Sequence, residues 1–339
     1  MKTTTIKTKL SFLLALLFLA LPNLSKACLS GEVTSFSAGS GQLHSYFQGR
    51  MLNLTDPSGL GVQAGDRVFF NYTSPTSAIV TSIIPSPIVI STNTTGNQIL
   101  PAGAFLIVEQ GVTLNGNINC ADCNIIVREN AVINGNISSS LGCVSINPGA
   151  LINGRVTKQG NGQVFIQDAT IVDRVRIFNK TDFGVVLMNS TFKERLIIDN
   201  VRAPNVVDNV VEERFICRNI PFYALCTGND FQGFARLDDN HDLVFKNNDI
   251  GENLRIRNQS GTVTIEDIRS GNLATTASQD ALIENTGEVL DITALSMDGN
   301  IRIRDNQSDV NIEEINAGIC HLYTSDAADE MQCVDLGGR

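Results

Sequence analysis

The sequence predicts an all-β chain whose body is a right-handed parallel β-helix, a solenoid with coils of about 19–21 residues, preceded by an N-terminal β cap. Three observations predict it. The apolar residues Leu106, Val108, Leu114 and Ile118 recur 19 residues later as Ile125, Val127, Ile133 and Ile137, and again as Val144, Ile146, Ile152 and Val156. The corner Asn115-Gly116-Asn117 returns in step as Asn134-Gly135-Asn136 and Asn153-Gly154-Arg155. Two apolar columns then run on: Leu114, Ile133, Ile152, Ile171, Phe192, Val211, Phe231 and Ile250, followed four residues later by Ile118, Ile137, Val156, Val175, Leu196, Phe215, Ala235 and Leu254. Apolar side chains at i and i+2 share one face of a strand. One coil cannot bury that face alone, so coils stack like on like, with parallel strands about 4.8 Å apart. About ten coils of roughly three short strands each are expected.

Taken in order, the chain opens with Lys2, Lys7 and Lys9 before the apolar run Leu10–Leu21, and Ser25 and Ala27 stand at −3 and −1 of a cleavage point. Residues 1–27 therefore read as a secretory signal peptide. No later stretch reaches the roughly 18 apolar residues of a membrane helix. An exported protein, secreted or at the cell surface, is expected, with a lipid anchor on Cys28 as the rival reading.

Residues 28–104 are less periodic, with strand-like runs at Arg67–Tyr72 and Pro87–Ser91 broken by Pro57, Pro75, Pro85 and Pro87. They are expected to form a cap or small β-domain over the open end of the core. Residues 105–319 form the solenoid. The step between apolar positions shortens by one residue near Asp168, which tightens a corner. Asn179, Asn200, Asn219, Asn240, Asn258 and Asn306 fall just past strand ends, where Asn tolerates left-handed backbone and bonds along a stack. Ala274–Thr293 departs from the step and is expected to protrude as a loop. Beyond Ile319 the pattern stops. Residues 320–339, from Cys320 through Tyr323 and Asp326 to Arg339, resemble a translated sequencing adaptor, which implies that the native C-terminus is missing.

Composition narrows the function. The net charge is −10 and becomes slightly more negative without the signal and tail, which argues against nucleic acid or an anionic membrane as a general partner. Aromatic residues are 6% and Trp is absent, whereas sugar clefts usually carry aromatic platforms. No nucleophile–base pair, phosphate loop or metal signature stands out, so no catalytic residue, cofactor or metal is assigned. Of eight cysteines, six lie between the signal and the tail. In an exported chain they favour disulfides, with Cys123–Cys143 bridging adjacent coils and Cys217–Cys226 closing a local loop as candidates. In a cytosolic protein Cys120-Ala121-Asp122-Cys123 would instead suggest a redox or metal site.

The candidate site is a pair of charged rows. Arg155, Arg174, Arg195 and Arg214 immediately precede Val156, Val175, Leu196 and Phe215, and Gly154, Asp173, Glu194 and Glu213 precede the arginines. Like charges about 5 Å apart repel by about 1 kcal/mol in water. The two rows either neutralise one another as a solvated network or form a groove for an anionic polysaccharide or divalent cation. A third possibility draws Asp168, Asp173 and Glu194 into the paired carboxylates of a glycan-cleaving enzyme.

The stretches Ile126–Ile137 and Ile146–Val156 resemble the repeats of bactofilin-type polymer-forming β-helices. That resemblance implies a non-enzymatic scaffold whose coils stack end to end, so self-association is expected. More broadly the chain resembles secreted right-handed β-helix proteins of bacterial surfaces, of the pectate-lyase-like kind, many of them adhesins or of unknown role. The favoured reading is an exported structural or adhesive solenoid with a polysaccharide or surface partner. A polysaccharide lyase or glycoside hydrolase is the alternative.

Overall fold

A computed structural model of the chain describes residues 30–45, 50–74, 76–84, 86–182, 184–270, 280–286, 289–306 and 309–324. The expected signal peptide, Cys28 and residues 325–339 lie outside the described residues. Among the described residues all regular structure is β, and no helix is long and apolar enough to cross a membrane. The chain is a parallel β-solenoid of about 12 turns, against the ten expected, with a small barrel before it.

Both apolar columns stack as the repeat requires. Leu114 lies in register with Ile133, Ile133 with Ile152 and Ile152 with Ile171, and the row continues through Phe192, Val211 and Phe231 to Ile250. The second row runs from Ile118 to Leu254 in the same way. Every one of these side chains is buried. Each full coil holds three strands: a first strand such as Val164–Gln167, a two-residue strand such as Thr170–Ile171, and a third such as Val175–Lys180.

Corners follow the same stacking. Gly111, Asn130, Gly149, Asp168, Asn189, Asp208, Gly228, Asn247 and Asp267 succeed one another after the first strand, all with positive φ. From Gly111 to Asp267 the column holds only residue types that tolerate left-handed backbone, and Ala294, next over Asp267, departs from this at positive φ. A second such column, after the third strand, holds Asn179, Asn200, Asn219, Asp239 and Asn258. Asn200 Nδ2 donates to Asn179 Oδ1 at 3.2 Å and Asn258 Nδ2 to Asp239 Oδ1 at 2.9 Å. Asn240 is a correction, because Asp239 takes the corner and Asn240 turns inward, 1% exposed.

An interior polar ladder lies beside the short strand. The column Val112, Ala131, Ala150, Ala169, Ser190 becomes Asn209, Asn229 and Asn248. Asn209 Nδ2 donates to Asn229 Oδ1 and Asn229 Nδ2 to Asn248 Oδ1, while their amides also reach the carbonyls of Leu187, Val206 and Cys226. Each amide is satisfied within the core, so burial costs little.

Two boundaries differ from the sequence reading. The solenoid begins at Ile88, not Phe105: Ile88–Ile90, Thr94–Thr95 and Gln98–Leu100 make a first coil in parallel register with the next. The expected loop at Ala274–Thr293 is mostly strand. Ala281–Thr286 and Val289–Asn306 continue the stack, with Leu254 over Ala281 and Ala281 over Ile301; residues 271–279, 287 and 288 lie outside the described residues. The backbone pairing also runs past Ile319, to Thr324.

Before the first coil, β1 (Ser30–Ser37), β2 (Ser40–Ser45), β3 (Arg50–Thr55), β4 (Arg67–Ser74) and β5 (Ser77–Ile83) close into a barrel in the order β1-β2-β3-β5-β4. β3 and β5 are parallel and the other pairs antiparallel, the connectivity of an OB-type Greek-key barrel. The barrel packs against the flank of the solenoid. Its core residues Leu43, Leu54, Val68 and Phe70 form one cluster with Cys143, Phe165 and Val186, which point outward from the first-strand sheet. Phe69 meets Phe105 edge-on at 5.7 Å. Charged pairs rim the seam, Arg67–Glu109 at 3.0 Å and Arg128–Glu32 at 3.7 Å.

Replacing Ile152 with Asp places an unpaired carboxylate in the closed apolar column, at a cost of several kcal/mol. Loss of the cooperative thermal transition by circular dichroism is the expected outcome, and a folded variant with a near-native midpoint would contradict the column.

Candidate functional site

The charged rows read from the sequence lie on the corner between the short and third strands. Arg155, Arg174 and Arg195 succeed one another there, since the amides of Ile137, Val156 and Val175 bond to their carbonyls. Arg155 Nε reaches Asp173 Oδ2 in the next coil at 3.0 Å, and Arg195 Nε lies 3.8 Å from Glu213 Oε2. Arg174 is half-buried and Arg214 exposed, and neither side chain makes an ion pair among the described residues.

Asp173 and Glu194 come together, one carboxyl hydrogen-bonding the other across a coil step. That bond, with some desolvation and repulsion from Asp173 and Glu213, holds the exposed Glu194 above the ordinary carboxyl range. Desolvation pushes Asp173 the opposite way from its net shift. The Arg174 amide, donating at 2.6 Å, the Glu194 carboxyl and Arg155 outweigh it and hold Asp173 low. Asp168 does not join them; it occupies the preceding corner, bonded by Gln167 Nε2 at 3.0 Å.

A second charged surface escaped the sequence reading. On the outward face of the third-strand sheet, one row in register reads Phe178, Asp199, Arg218, Asp238, Arg257, Glu284, Arg304. From Asp199 on, its charges alternate strictly, and each carboxylate bonds the arginine one coil along: Asp199–Arg218 at 2.8 Å, Asp238–Arg257 at 3.0 Å, Glu284–Arg304 at 2.8 Å. Burial works against the Asp199 carboxylate, but the Arg218 guanidinium and the Asn219 amide hold it low. The neighbouring row, two residues earlier on each strand, reads Arg176, Ile197, Ile216, Arg236, Arg255, Leu282, Arg302 and has no carboxylate. Arg236 and Arg255 lean onto Asp238, which is fully buried beneath them, and Arg176 stacks over Phe178 at 4.2 Å.

The cysteines correct the expected pairing. Cys120 and Cys123 lie at disulfide distance across the corner between a third and a first strand. Cys123 faces the solenoid core, whereas Cys143, in a different disulfide, belongs to the cluster under the barrel. The coil step there is 19 residues and the cysteines are 20 apart, and a one-residue offset moves a side chain to the other face. Cys217 and Cys226 do meet, buried and hydrogen-bonded to each other, but as free thiols rather than the expected bridge. Burial, then the contact with Cys217, pushes the Cys226 thiol up. Denaturation without reductant is expected to expose both to alkylation while Cys120–Cys123 stays linked. A tryptic peptide pair joined through Cys217 and Cys226 would reverse that assignment.

The core also holds lysines. Lys158 is fully buried, its Nζ donating to the carbonyls of Ser140, Gln159, Gly160 and Asn161 at 2.8–3.1 Å. Lys180, one coil on, bonds Asp182. Burial pushes the Lys158 ammonium down to about 8, aided by the Lys180 cation and opposed by Asp182 and Asp122. Between that value and the ordinary 10.5 the unfolded chain holds the proton and the folded chain releases it, so stability rises with pH across this window. Thermal midpoints measured at pH 8 and pH 10 should therefore diverge in favour of the native protein over Lys158→Met. A constant difference would refute the linkage.

Among the described residues no group of three or more His, Cys, Asp or Glu side chains is placed to hold a metal ion. Fold and surface together define a parallel β-solenoid flanked by a small barrel, with charged side chains stacked rung by rung. Comparison with protein-family models, curated proteins and solved structures finds no match.

Proposed function

We propose that the chain is an exported structural or adhesive β-solenoid that holds a polysaccharide or another surface component without turning it over. The observation that carries this reading is the in-register stacking of outward charges over successive coils. Such rows present a repeating surface, and an extended polymer engages many rungs at once, with binding energy spread among them. The Lys-rich start and apolar run of residues 1–27 support export. Likeness to polymer-forming repeats at Ile126–Val156 supports end-to-end association of coils.

One observation favours the alternative, a polysaccharide lyase or hydrolase. Asp173 and Glu194 are a carboxyl pair whose proton affinities are driven apart, the arrangement that separates an acid from a base. A glycan array followed by a product screen on every polymer bound distinguishes the two. Binding without chain cleavage is expected. Release of oligosaccharides, abolished by Asp173→Asn or Glu194→Gln with folding intact, would establish the enzyme instead.

A further inference from the structure

We infer that the row Arg176, Arg236, Arg255 and Arg302 is a binding strip for an acidic polysaccharide, a polymer carrying carboxylate or sulfate groups along its length. The inference rests on the adhesive reading and adds to it a place and a ligand class.

Charge placement is the first argument. The two adjacent outward rows of the third-strand sheet carry seven arginines, Arg176, Arg218, Arg236, Arg255, Arg257, Arg302 and Arg304, against Asp199, Asp238 and Glu284. The protein as a whole is at −10, so this surplus of cations is local and opposite in sign to the rest. Arg236 and Arg255 stack at strand spacing and repel, Arg176 and Arg302 stand two or three rungs away along the same row, and a row with no acid of its own leaves these cations to be neutralised from outside it. The neighbouring row shows what neutralisation looks like here, a carboxylate on alternate rungs. The arginine row lacks it: Arg236 and Arg255 share one carboxylate with Arg257, and Arg176 and Arg302 make no ion pair among the described residues.

Geometry is the second. Asp238 sits fully buried below three guanidiniums, which fixes them while leaving about 30% of each side chain open to solvent. Arg236 and Arg257 donate through Nε to Asp238 and Arg255 Nε lies 3.8 Å from it, so the Arg236 and Arg257 forks are held in place with N–H groups left for a carboxylate or sulfate. The half-buried Ile197 and Ile216 between Arg176 and Arg236 give the strip flat apolar steps against which a sugar ring can lie. Nucleic acid is the less favoured polyanion: the strip offers no row of exposed aromatics for base stacking, and the chain's net charge opposes a polyphosphate.

Affinity electrophoresis of the full chain through gels containing polygalacturonate, heparin, neutral dextran or double-stranded DNA tests this. Retardation by polygalacturonate or heparin, weakened by salt, is expected. R176Q/R302Q, which leaves Asp238 and its partners intact, should weaken it about tenfold or more, equivalent to about 1.4 kcal/mol. R236Q/R255Q should do the same, with its thermal midpoint measured alongside, while R269Q, in the short-strand row in register with Asp249, should leave it unchanged. Retardation by acidic polymers that survives both double variants, or that is lost on R174Q/R214Q instead, overturns the strip and leaves the adhesive reading standing. Preference for DNA over both polysaccharides also overturns it. Capture of neutral glycans alone on an array overturns the acidic ligand class but not adhesion, and no capture of any glycan defeats both.

Discussion

Parallel register is the constraint on which the rest of this molecule depends. Because each strand lies directly on its counterpart one coil away, whatever occupies a position is met by its own kind about 4.8 Å along the stack. For apolar residues that is wholly favourable, and the columns through Ile152 and Val156 form without further provision. For backbone corners it imposes a shared conformation, which Gly, Asn and Asp alone populate cheaply. For interior polar groups it is acceptable only where donor and acceptor alternate along the stack. The amides of Asn209, Asn229 and Asn248 achieve this because one side chain carries both.

Charges meet the harshest form of the rule, and the structure resolves it in distinct ways. Opposite charges alternate along one row, as from Asp199 to Arg304. On the corner, arginines reach diagonally to acids one coil on, as Arg155 does to Asp173. Where acids stack without an arginine between them, the neighbouring Asp173 carboxyl raises the proton affinity of Glu194. Inside, Lys158 replaces an ion pair with four carbonyl oxygens. The arginine row from Arg176 to Arg302 follows none of these patterns fully, which is why it stands out physically.

Sequence legibility tracks the same constraint. The two apolar columns were readable at every position because a stacked core tolerates only apolar residues there. The barrel was not readable: its strands, six to eight residues long, do not recur at a fixed step, so alternation at Val68 and Phe70 signals a strand but no partner. Its docking surface did leave a trace. First strands such as Phe105–Val108 and Val185–Leu187 are apolar on both faces, the mark of a sheet covered on each side. Cys143 was misread because a step of 20 was treated as a coil step where 19 applied. The alternating row was hidden by the long step from Arg257 to Glu284, which breaks the period although the register survives.

The covered face also determines which surfaces remain for a partner. Outward first-strand positions at Ile107, Ile126, Phe165 and Val186 are buried, in the coils where the barrel docks. Beyond Val186 the same row becomes Asn205, Leu225, Val244 and Thr264, half-buried and mixed in character. The third-strand sheet carries its charged rows across this change, from Arg176 in the flanked coils to Arg304 well past them. A barrel docked on one lateral sheet thus leaves another continuous over its length. Only an uninterrupted sheet presents enough equivalent rungs for a polymer to be held by many weak contacts rather than one strong one.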